Sequence, residues 1–447
     1  MSLYQSPFSP SCRQEPRGAS NWLENSTHNL RQAEIATVVF CNKMRPHKLL
    51  FPQFAKHHKL ANLIPISHSL SPVHFSSILQ SMKISTENSI SPPPAASISH
   101  DLLLSSVQSS QWHFIEHLSP NLTPSLISAT IFSLLKTPEL ALEFIAHIKF
   151  HTMDIKTHCL AIAVISRLPS PKPTLQLLKE TISNDISVGV IFDELTIARN
   201  QLGTKSSILF DLLIRGYCEL DRADEAIECF YKMKEKAFAP KIETCNSMLS
   251  LLSKLNRTES AWVLYAEMFS MGIKSTLYTF NIMINVLCKE GKLNKAKQFI
   301  GIMECLGIKP SFVTFNTLVH GYCSRGRVEG ARLIINEMKA KGIEPDFYTY
   351  GSLISGLCKE GRLEEASTTF EKMKENGLSP NAVMYNILID GYCNKGNLEL
   401  AFHYKDEMVK KDTMPTVSTY NMLIHALFME SKMDKADGMI KEMKRKE

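Results

Sequence analysis

The chain has 447 residues, a formal net charge of +6, 21% charged residues and 44% hydrophobic residues. These proportions exclude a chain that is disordered throughout, because enough apolar side chains are present to form a core. The small positive charge permits a polyanionic partner without requiring one.

Residues 1–100 are rich in Ser, Pro and His and end in the proline-rich stretch 91–94. Between Ile35 and Thr86 there is no Asp or Glu, whereas basic residues recur. This composition is typical of organelle transit peptides, and it predicts a disordered leader that carries one, with Met44 as a candidate start. The alternative is a basic disordered leader without a targeting role. The predicted destination is the mitochondrion, with the plastid as the alternative.

Residues 101–206 show helical periodicity without a fixed repeat length. From Leu122 to Ile182, apolar residues recur at three- and four-residue spacing, the pattern of amphipathic helices. Pro138 and Glu139 suit the start of one helix, because proline needs no hydrogen-bond acceptor there and the carboxylate favours the helix dipole. We interpret this region as degenerate helical repeats that cap an array.

From Ser207 onward the sequence repeats every 35 residues. Two residue types recur without exception in seven units, which indicates a repeat architecture. The alanines are Ala226, Ala261, Ala296, Ala331, Ala366, Ala401 and Ala436. The methionines are Met233, Met268, Met303, Met338, Met373, Met408 and Met443. Cysteines follow the same period and are predicted to be reduced thiols packed on one face of equivalent helices. They are Cys218, Cys288, Cys323, Cys358 and Cys393.

Each unit divides into two amphipathic segments, for example TYGSLISGLCKEG followed by RLEEASTTFEKMKENG. Glycines fall between the two segments, where a left-handed conformation ends the first helix. They are Gly291, Gly326, Gly361 and Gly396. Because a single hairpin cannot bury its apolar face, neighbouring hairpins are expected to stack. The sequence therefore predicts an all-α fold, a right-handed α-solenoid of stacked helix-turn-helix repeats.

Units such as FVTFNTLVHGYCSRGRVEGARLIINEMKAKGIEPD at 312–346 resemble those of the pentatricopeptide repeat proteins. The constant length is similar to that of the pure 35-residue subfamily, found in plant organelles, and the resemblance covers just over half of the chain. In this frame the units are 207–241, 242–276, 277–311, 312–346, 347–381, 382–416 and a truncated 417–447.

The resemblance implies sequence-specific binding of single-stranded RNA, with one nucleotide per unit selected by the fifth and last residues of the unit. The fifth residues are Asp211, Asn246, Asn281, Asn316, Gly351, Asn386 and Asn421. The last residues are Lys241, Thr276, Ser311, Asp346, Asn381 and Thr416. An amide offers both donors and an acceptor to a base edge. The alternative for the asparagines is a role as helix caps.

The family's pairing preferences imply a base for five units. The bases are cytosine for Asn281 with Ser311, uracil for Asn316 with Asp346, adenine for Gly351 with Asn381, and a pyrimidine for Asn246 with Thr276 and for Asn386 with Thr416. The implied RNA core is Y-C-U-A-Y, with the amino-terminal units towards the 5′ end. The pair Asp211 and Lys241 fits no preference.

The second residue of each unit is implied to pack against a base, since stacking or apolar contact stabilises single-strand complexes. The residues suited to this are Ile208, Tyr278, Val313, Tyr348 and Val383, whereas Glu243 and Ser418 depart from the pattern. Lysines recur on the first segments, where they are predicted to meet phosphates. They are Lys254, Lys289 and Lys359.

The sequence predicts no catalytic, metal or cofactor site. It contains no HExxH, no Gly-rich phosphate loop and no pair of cysteines three residues apart. No apolar run reaches the roughly 18 residues of a membrane-spanning helix, so no membrane insertion is predicted. The predicted state is a monomer that binds single-stranded RNA in organelle RNA metabolism, with organelle RNA-processing proteins as further partners. The alternatives are a protein-binding scaffold, which the repeated asparagine argues against, and an RNA-processing enzyme, which requires clustered carboxylates.

Overall fold

A computed structural model describes residues 98–148 and 153–446. The described residues fall into two compact units, 98–238 and 239–446. Every regular element in these residues is a helix, which confirms the predicted all-α architecture. The predicted leader and its transit peptide lie almost entirely outside the described residues. Among the helices that are described, none combines the length and apolar character that crossing a membrane requires.

The unit 98–238 is built from nine α-helices among its described residues. They are α1 (His100–Gln108), α2 (Trp112–Leu118), α3 (Pro124–Ser133), α4 (Pro138–His147), α5 (Ile155–Ile165), α6 (Lys172–Ser183), α7 (Val188–Gln201), α8 (Ile208–Glu219) and α9 (Ala223–Glu235). Helix α4 begins at Pro138 with Glu139 in its first turn, as the sequence predicts. The first 35-residue repeat, formed by α8 and α9, packs in this unit against α6 and α7.

The unit 239–446 is a row of six helical hairpins. Its helices are α10 (Ile242–Lys254), α11 (Thr258–Ser270), α12 (Leu277–Lys289), α13 (Leu293–Cys305), α14 (Phe312–Ser324), α15 (Val328–Ala340), α16 (Phe347–Glu360), α17 (Leu363–Glu375), α18 (Ala382–Asn394), α19 (Leu398–Lys410), α20 (Val417–Met429) and α21 (Met433–Lys446). The first helix of each hairpin contacts the first helix of the next. These first helices, α10, α12, α14, α16, α18 and α20, therefore form one continuous layer.

The alanine and methionine ladders lie in the core. All seven alanines are at most 1% exposed, and the six methionines from Met233 to Met408 are equally buried. Met443, in the last hairpin, is half-buried. The small alanine allows close helix approach, and the flexible methionine fills the remaining space. Both ladders therefore serve packing between the helices of the repeats.

The hairpin turns use left-handed backbone conformations. Gly291, Gly326, Gly361 and Gly396 have φ between 60° and 75°, as predicted for glycines that end a first helix. Where a unit lacks glycine, Asp221, Asn256 or Ser431 adopts the same conformation. Asparagine and aspartate tolerate this region better than other non-glycine residues.

The cysteine ladder packs against a glycine of the following repeat. A Cβ at Gly321 would lie 2.3 Å from Cys288 Sγ, and a Cβ at Gly391 would lie 2.8 Å from Cys358 Sγ. The cysteines are free, as predicted. Burial raises the pKa of the Cys288 and Cys358 thiols to about 12, so the reactive thiolate is scarce at neutral pH. These thiols act as small apolar groups at the contact between repeats.

Candidate nucleic-acid interface

The last residue of each 35-residue unit is the N-cap of the next unit's first helix. This position holds Lys241, Thr276, Ser311, Asp346, Asn381 and Thr416, before α10, α12, α14, α16, α18 and α20 respectively. Side chains with oxygen acceptors are favoured there because they satisfy backbone N–H groups of the first turn. Asp346 is an example, since its Oδ1 accepts from the Thr349 N–H at 2.9 Å.

The fifth residues lie inside the first helices, five residues beyond the last-residue caps. Asn246 is 6% exposed and Asn281 is 8% exposed, whereas Asn421 in the last hairpin is exposed. The helix-cap alternative for the asparagines is therefore wrong, because the N-cap positions are held by the last residues of the preceding units. A buried amide within a helix requires hydrogen-bond partners from another element.

Those partners are threonines that the sequence interpretation missed. The Oγ1 hydroxyls of Thr279, Thr314, Thr349 and Thr419 donate to the Oδ1 atoms of Asn246, Asn281, Asn316 and Asn386 at 2.7, 2.7, 2.5 and 2.7 Å. Each threonine is the third residue of the following unit. Its hydroxyl also contacts the last residue of the same preceding unit, for example Thr276 at 3.1 Å from Thr279. The sequence shows that threonine recurs at this position with the 35-residue period. It does not show that each threonine bonds to an asparagine of the preceding unit.

The predicted pair Asn316 and Asp346 forms direct hydrogen bonds. Asn316 Nδ2 donates to Asp346 Oδ1 at 2.9 Å and to Oδ2 at 3.0 Å. The pair Asn386 and Thr416 is also joined, with Nδ2 to Oγ1 at 3.2 Å. In both pairs, the fifth and last residues of one unit lie side by side at the layer of first helices.

The pair Gly351 and Asn381 is arranged differently. Asn381 Oδ1 accepts from the backbone N–H groups of Val383 and Met384 at 3.0 and 3.2 Å. Met384 occupies the third place of its unit, where threonine stands in its neighbours, and its sulfur is 3.2 Å from an ideal Cβ at Gly351. The residues of the pair Asp211 and Lys241 belong to different compact units, with Asp211 buried in α8 and Lys241 exposed before α10.

The predicted base-packing residues are mostly exposed. Tyr278 is 57%, Tyr348 73% and Val383 58% exposed, and Val313 is 44% exposed. Ile208 is half-buried. Large apolar side chains exposed at the same place in successive repeats provide a row of flat contact surfaces.

An open groove of about 640 Å³ crosses the layer of first helices from α10 to α16. It brings together two predicted fifth residues, two predicted packing residues and two predicted lysines, namely Asn281, Asn316, Val313, Tyr348, Lys254 and Lys289. Lys289 Nζ donates to the Ser253 carbonyl at 2.5 Å, at the end of α10. Lys359 does not line this groove and is exposed near the end of α16.

The groove also contains polar residues that the sequence interpretation did not select. Ser250, Asn285 and His320 occupy the ninth place of three successive units, and a polar residue at this place recurs with the 35-residue period. Burial and the nearby Lys359 charge lower the pKa of His320. Its imidazole is therefore more often neutral at neutral pH than an ordinary histidine, and it can both donate and accept a hydrogen bond.

Comparison with protein-family models matches the repeats directly. A model described as PPR repeat family matches residues 240–289, 277–321, 310–359 and 380–429. A second, described as PPR repeat, matches 208–238, 348–378 and 418–447. Together they cover more than half of the chain. The chain belongs to the pentatricopeptide repeat family.

Pentatricopeptide repeat proteins of Arabidopsis thaliana are similar to this one. A pentatricopeptide repeat-containing protein named as mitochondrial is 56% identical over 215 residues, which are 48% of this chain and 33% of the relative. A second one named as mitochondrial is 30% identical over 165 residues, 36% of this chain and 31% of that relative. The chain thus spans about a third of the length of these relatives.

Among solved structures, the pentatricopeptide repeat protein PPR10 in complex with an 18-nucleotide psaJ RNA element is 17% identical, with a TM-score of 0.42. The match covers 77% of this pentatricopeptide repeat chain and 59% of PPR10.

Proposed function

We propose that this pentatricopeptide repeat protein binds single-stranded RNA along the layer of first helices, with one nucleotide per repeat. The observation that carries the proposal is the groove between α10 and α16, which gathers amides, an exposed tyrosine and lysines from successive repeats. Amides select bases by hydrogen bonding, aromatic rings stack on them, and lysines neutralise phosphates. The protein acts in organelle RNA metabolism, and no catalytic role is expected of it.

The hydrogen-bonding groups of Asn316 and Asp346 support the choice of uracil in the unit 312–346. A carboxylate only accepts hydrogen bonds, which suits the N3–H of uracil, and an amide N–H suits its O4. Cytosine lacks that N3–H donor. The core sequence proposed for the five central units remains Y-C-U-A-Y, with Gly351 and its small volume assigned to the purine.

Tyr348→Ala is expected to weaken RNA binding about fivefold to a hundredfold, since base–aromatic stacking is worth about 1–3 kcal/mol. The tyrosine is 73% exposed, so its loss should leave the folded state unchanged. Fluorescence anisotropy with a labelled Y-C-U-A-Y RNA measures the effect. Leu333→Ala, at a 64% exposed apolar side chain on the second helix α15, is the control. Equal affinities of the two variants would contradict base packing by Tyr348.

Lys254→Gln combined with Lys289→Gln is expected to reduce the salt dependence of RNA binding. Each phosphate contact contributes about 0.7 to the slope of log affinity against log salt for single strands, so the double variant should lose about 1.4. The affinity should fall for all sequences alike. Lys339→Gln with Lys372→Gln makes the same charge change on second helices and should leave the slope unaltered. An unchanged slope in the groove variant would show that these lysines do not meet phosphates.

The proposed compartment is the mitochondrion, with the plastid as the alternative. The acid-free basic segment near the amino terminus and the mitochondrial names of similar Arabidopsis proteins support it. Imaging of the full chain fused at its carboxyl terminus to a fluorescent protein tests the proposal. A signal confined to the cytosol would contradict both organelles.

Direct binding distinguishes RNA recognition from the scaffold alternative. The full chain is titrated into labelled single-stranded RNA of random sequence and into the same RNA annealed as a duplex, each with heparin as competitor. Single-stranded RNA should bind about tenfold or more tightly than the duplex, because only unpaired bases can stack and expose their edges. Equal binding of both forms, or complete displacement by heparin, would overturn the proposal in favour of a protein-binding surface.

A further inference from the structure

Two positions of neighbouring repeats vary together within this chain. They are the fifth residue of one unit and the third residue of the next, 33 residues later. In the six units whose partner position lies within the chain, threonine follows wherever the fifth residue is Asn or Asp, and Gly351 is followed by Met384. The pairs with threonine are Asp211 and Thr244, Asn246 and Thr279, Asn281 and Thr314, Asn316 and Thr349, and Asn386 and Thr419.

The threonine side chain holds the asparagine amide from the core side. Thr279, Thr314, Thr349 and Thr419 are at most 1% exposed, and each donates its hydroxyl to an asparagine Oδ1 at 2.5–2.7 Å. The carbonyl end of each amide is therefore turned towards the core. The amide nitrogen lies at the opposite end of each amide, and Asn281 and Asn316 are among the residues that line the groove.

At Asn316 the orientation is fixed from both ends. Its Nδ2 donates to both carboxylate oxygens of Asp346, which have no proton to donate in return. A rotated amide would place its oxygen against that carboxylate and its NH₂ group against the Thr349 hydroxyl. It would lose both bonds to Asp346, and the Thr349 hydroxyl, which already accepts from the Asp346 N–H at 3.2 Å, would have to accept from the rotated NH₂ group as well.

The pair Gly351 and Met384 is matched by shape, whereas the pairs with asparagine are matched by a hydrogen bond. Gly351 has no amide to orient, and the buried thioether of Met384 lies 3.2 Å from an ideal Cβ at that glycine. A threonine at position 384 would lack the acceptor that a fifth-residue asparagine supplies in the other repeats. The third residue thus matches the fifth residue of the preceding repeat in both arrangements.

We propose that the third residue of each repeat is a positioning residue for base selection by the preceding repeat. Threonine fixes the asparagine so that its N–H, rather than its carbonyl, is presented to the base, whereas methionine replaces it where glycine leaves room for a purine. The inference rests on the proposed function. Base choice then depends on three positions, the fifth, the last and the third of the following repeat.

The test compares base discrimination by Thr349→Val and the unaltered chain. Four RNAs differ only at the nucleotide assigned to the unit 312–346, and the ratio of the dissociation constant for each other base to that for uracil is measured. Thr349→Val should lower this ratio about tenfold, because the amide is then held only by Asp346 and can more readily turn its oxygen towards the base. Thr349→Ser keeps the hydroxyl and should retain the ratio. Thr368→Val removes a threonine hydroxyl bound to a backbone carbonyl on α17 and should leave it unchanged.

A purely structural role would weaken binding to all four RNAs equally, and that result would overturn the inference. An unchanged ratio in Thr349→Val would overturn it as well, while the proposed RNA binding would stand. An unaltered chain that discriminates no base would instead overturn the proposed function and this inference together.

A second pair of variants covers the case in which Thr349→Val unfolds, which melting curves would reveal. Gly351→Asn alone should not create a defined pyrimidine preference in the unit 347–381, whereas Gly351→Asn with Met384→Thr should shift that unit from adenine to a pyrimidine. Equal preferences of the single and double variants would overturn the inference.

Discussion

Gly321→Ala is expected to lower the stability of the repeat array by about 1–3 kcal/mol, the usual cost of overpacking a core. A Cβ at this position would lie 2.3 Å from Cys288 Sγ and 2.6 Å from Cys288 Cβ, so the sulfur cannot relieve the clash by rotation alone. The first helices α12 and α14 must then separate. Thermal unfolding followed by circular dichroism measures the loss, which corresponds to a shift of roughly 2–4 °C per kcal/mol for an array of this size.

Gly301→Ala provides a matched control with the opposite expected sign. Gly301 lies inside the helix α13, and a Cβ there would meet no atom within 4 Å. Alanine is a better helix former than glycine, so this variant should gain about 0.5–1 kcal/mol. Equal shifts of the two variants would contradict the account of the cysteine–glycine contact, because helix propensity alone would then explain both.

Asn316→Thr is expected to change the base preferred by the unit 312–346 from uracil to guanine. The shorter side chain leaves room for a larger ring, and Asp346 remains as an acceptor for the N1–H of guanine, which adenine lacks. Loss of one contact and gain of another, each worth about 1–3 kcal/mol, should change the guanine-to-uracil ratio of affinities about a hundredfold. Competition between two labelled RNAs that differ at this nucleotide measures the ratio.

Asn336→Thr is the control for that specificity change, because Asn336 is exposed on the second helix α15. It should keep the preference for uracil. A preference for uracil that survives Asn316→Thr, with the chain still folded and binding RNA, would show that base selection in this unit does not depend on the fifth residue.

The repeat period made the core predictable from the sequence. Alanine and methionine recur in every unit at the places of Ala331 and Met338, because a solenoid puts equivalent residues in equivalent packing environments. Ala331 and Met338 are both fully buried. Gly326 and Gly361 were predicted to end helices for the same reason, and both have positive φ. These features depend only on contacts that each repeat makes in the same way.

Contacts between repeats were harder to predict. The sequence showed the recurring cysteines, of which Cys323 is one. It did not show their packing partner, because Gly356, which contacts Cys323, lies in the next unit. The bond from Thr349 to Asn316 likewise joins residues 33 positions apart, and a 35-residue period does not reveal such an offset. The helix-cap alternative for the asparagines failed because each of them lies inside a helix whose N-cap position is held by the residue before the helix.

The sequence of the bound RNA tests the central claim most directly. The full chain is incubated with a randomised single-stranded RNA pool, bound molecules are recovered over several rounds, and the enriched sequences are aligned. We predict enrichment of a core of the form Y-C-U-A-Y, with its 5′ end assigned to the unit 242–276. Recovery of no common sequence, from a chain that is folded and active in RNA binding, would contradict base selection by the repeats.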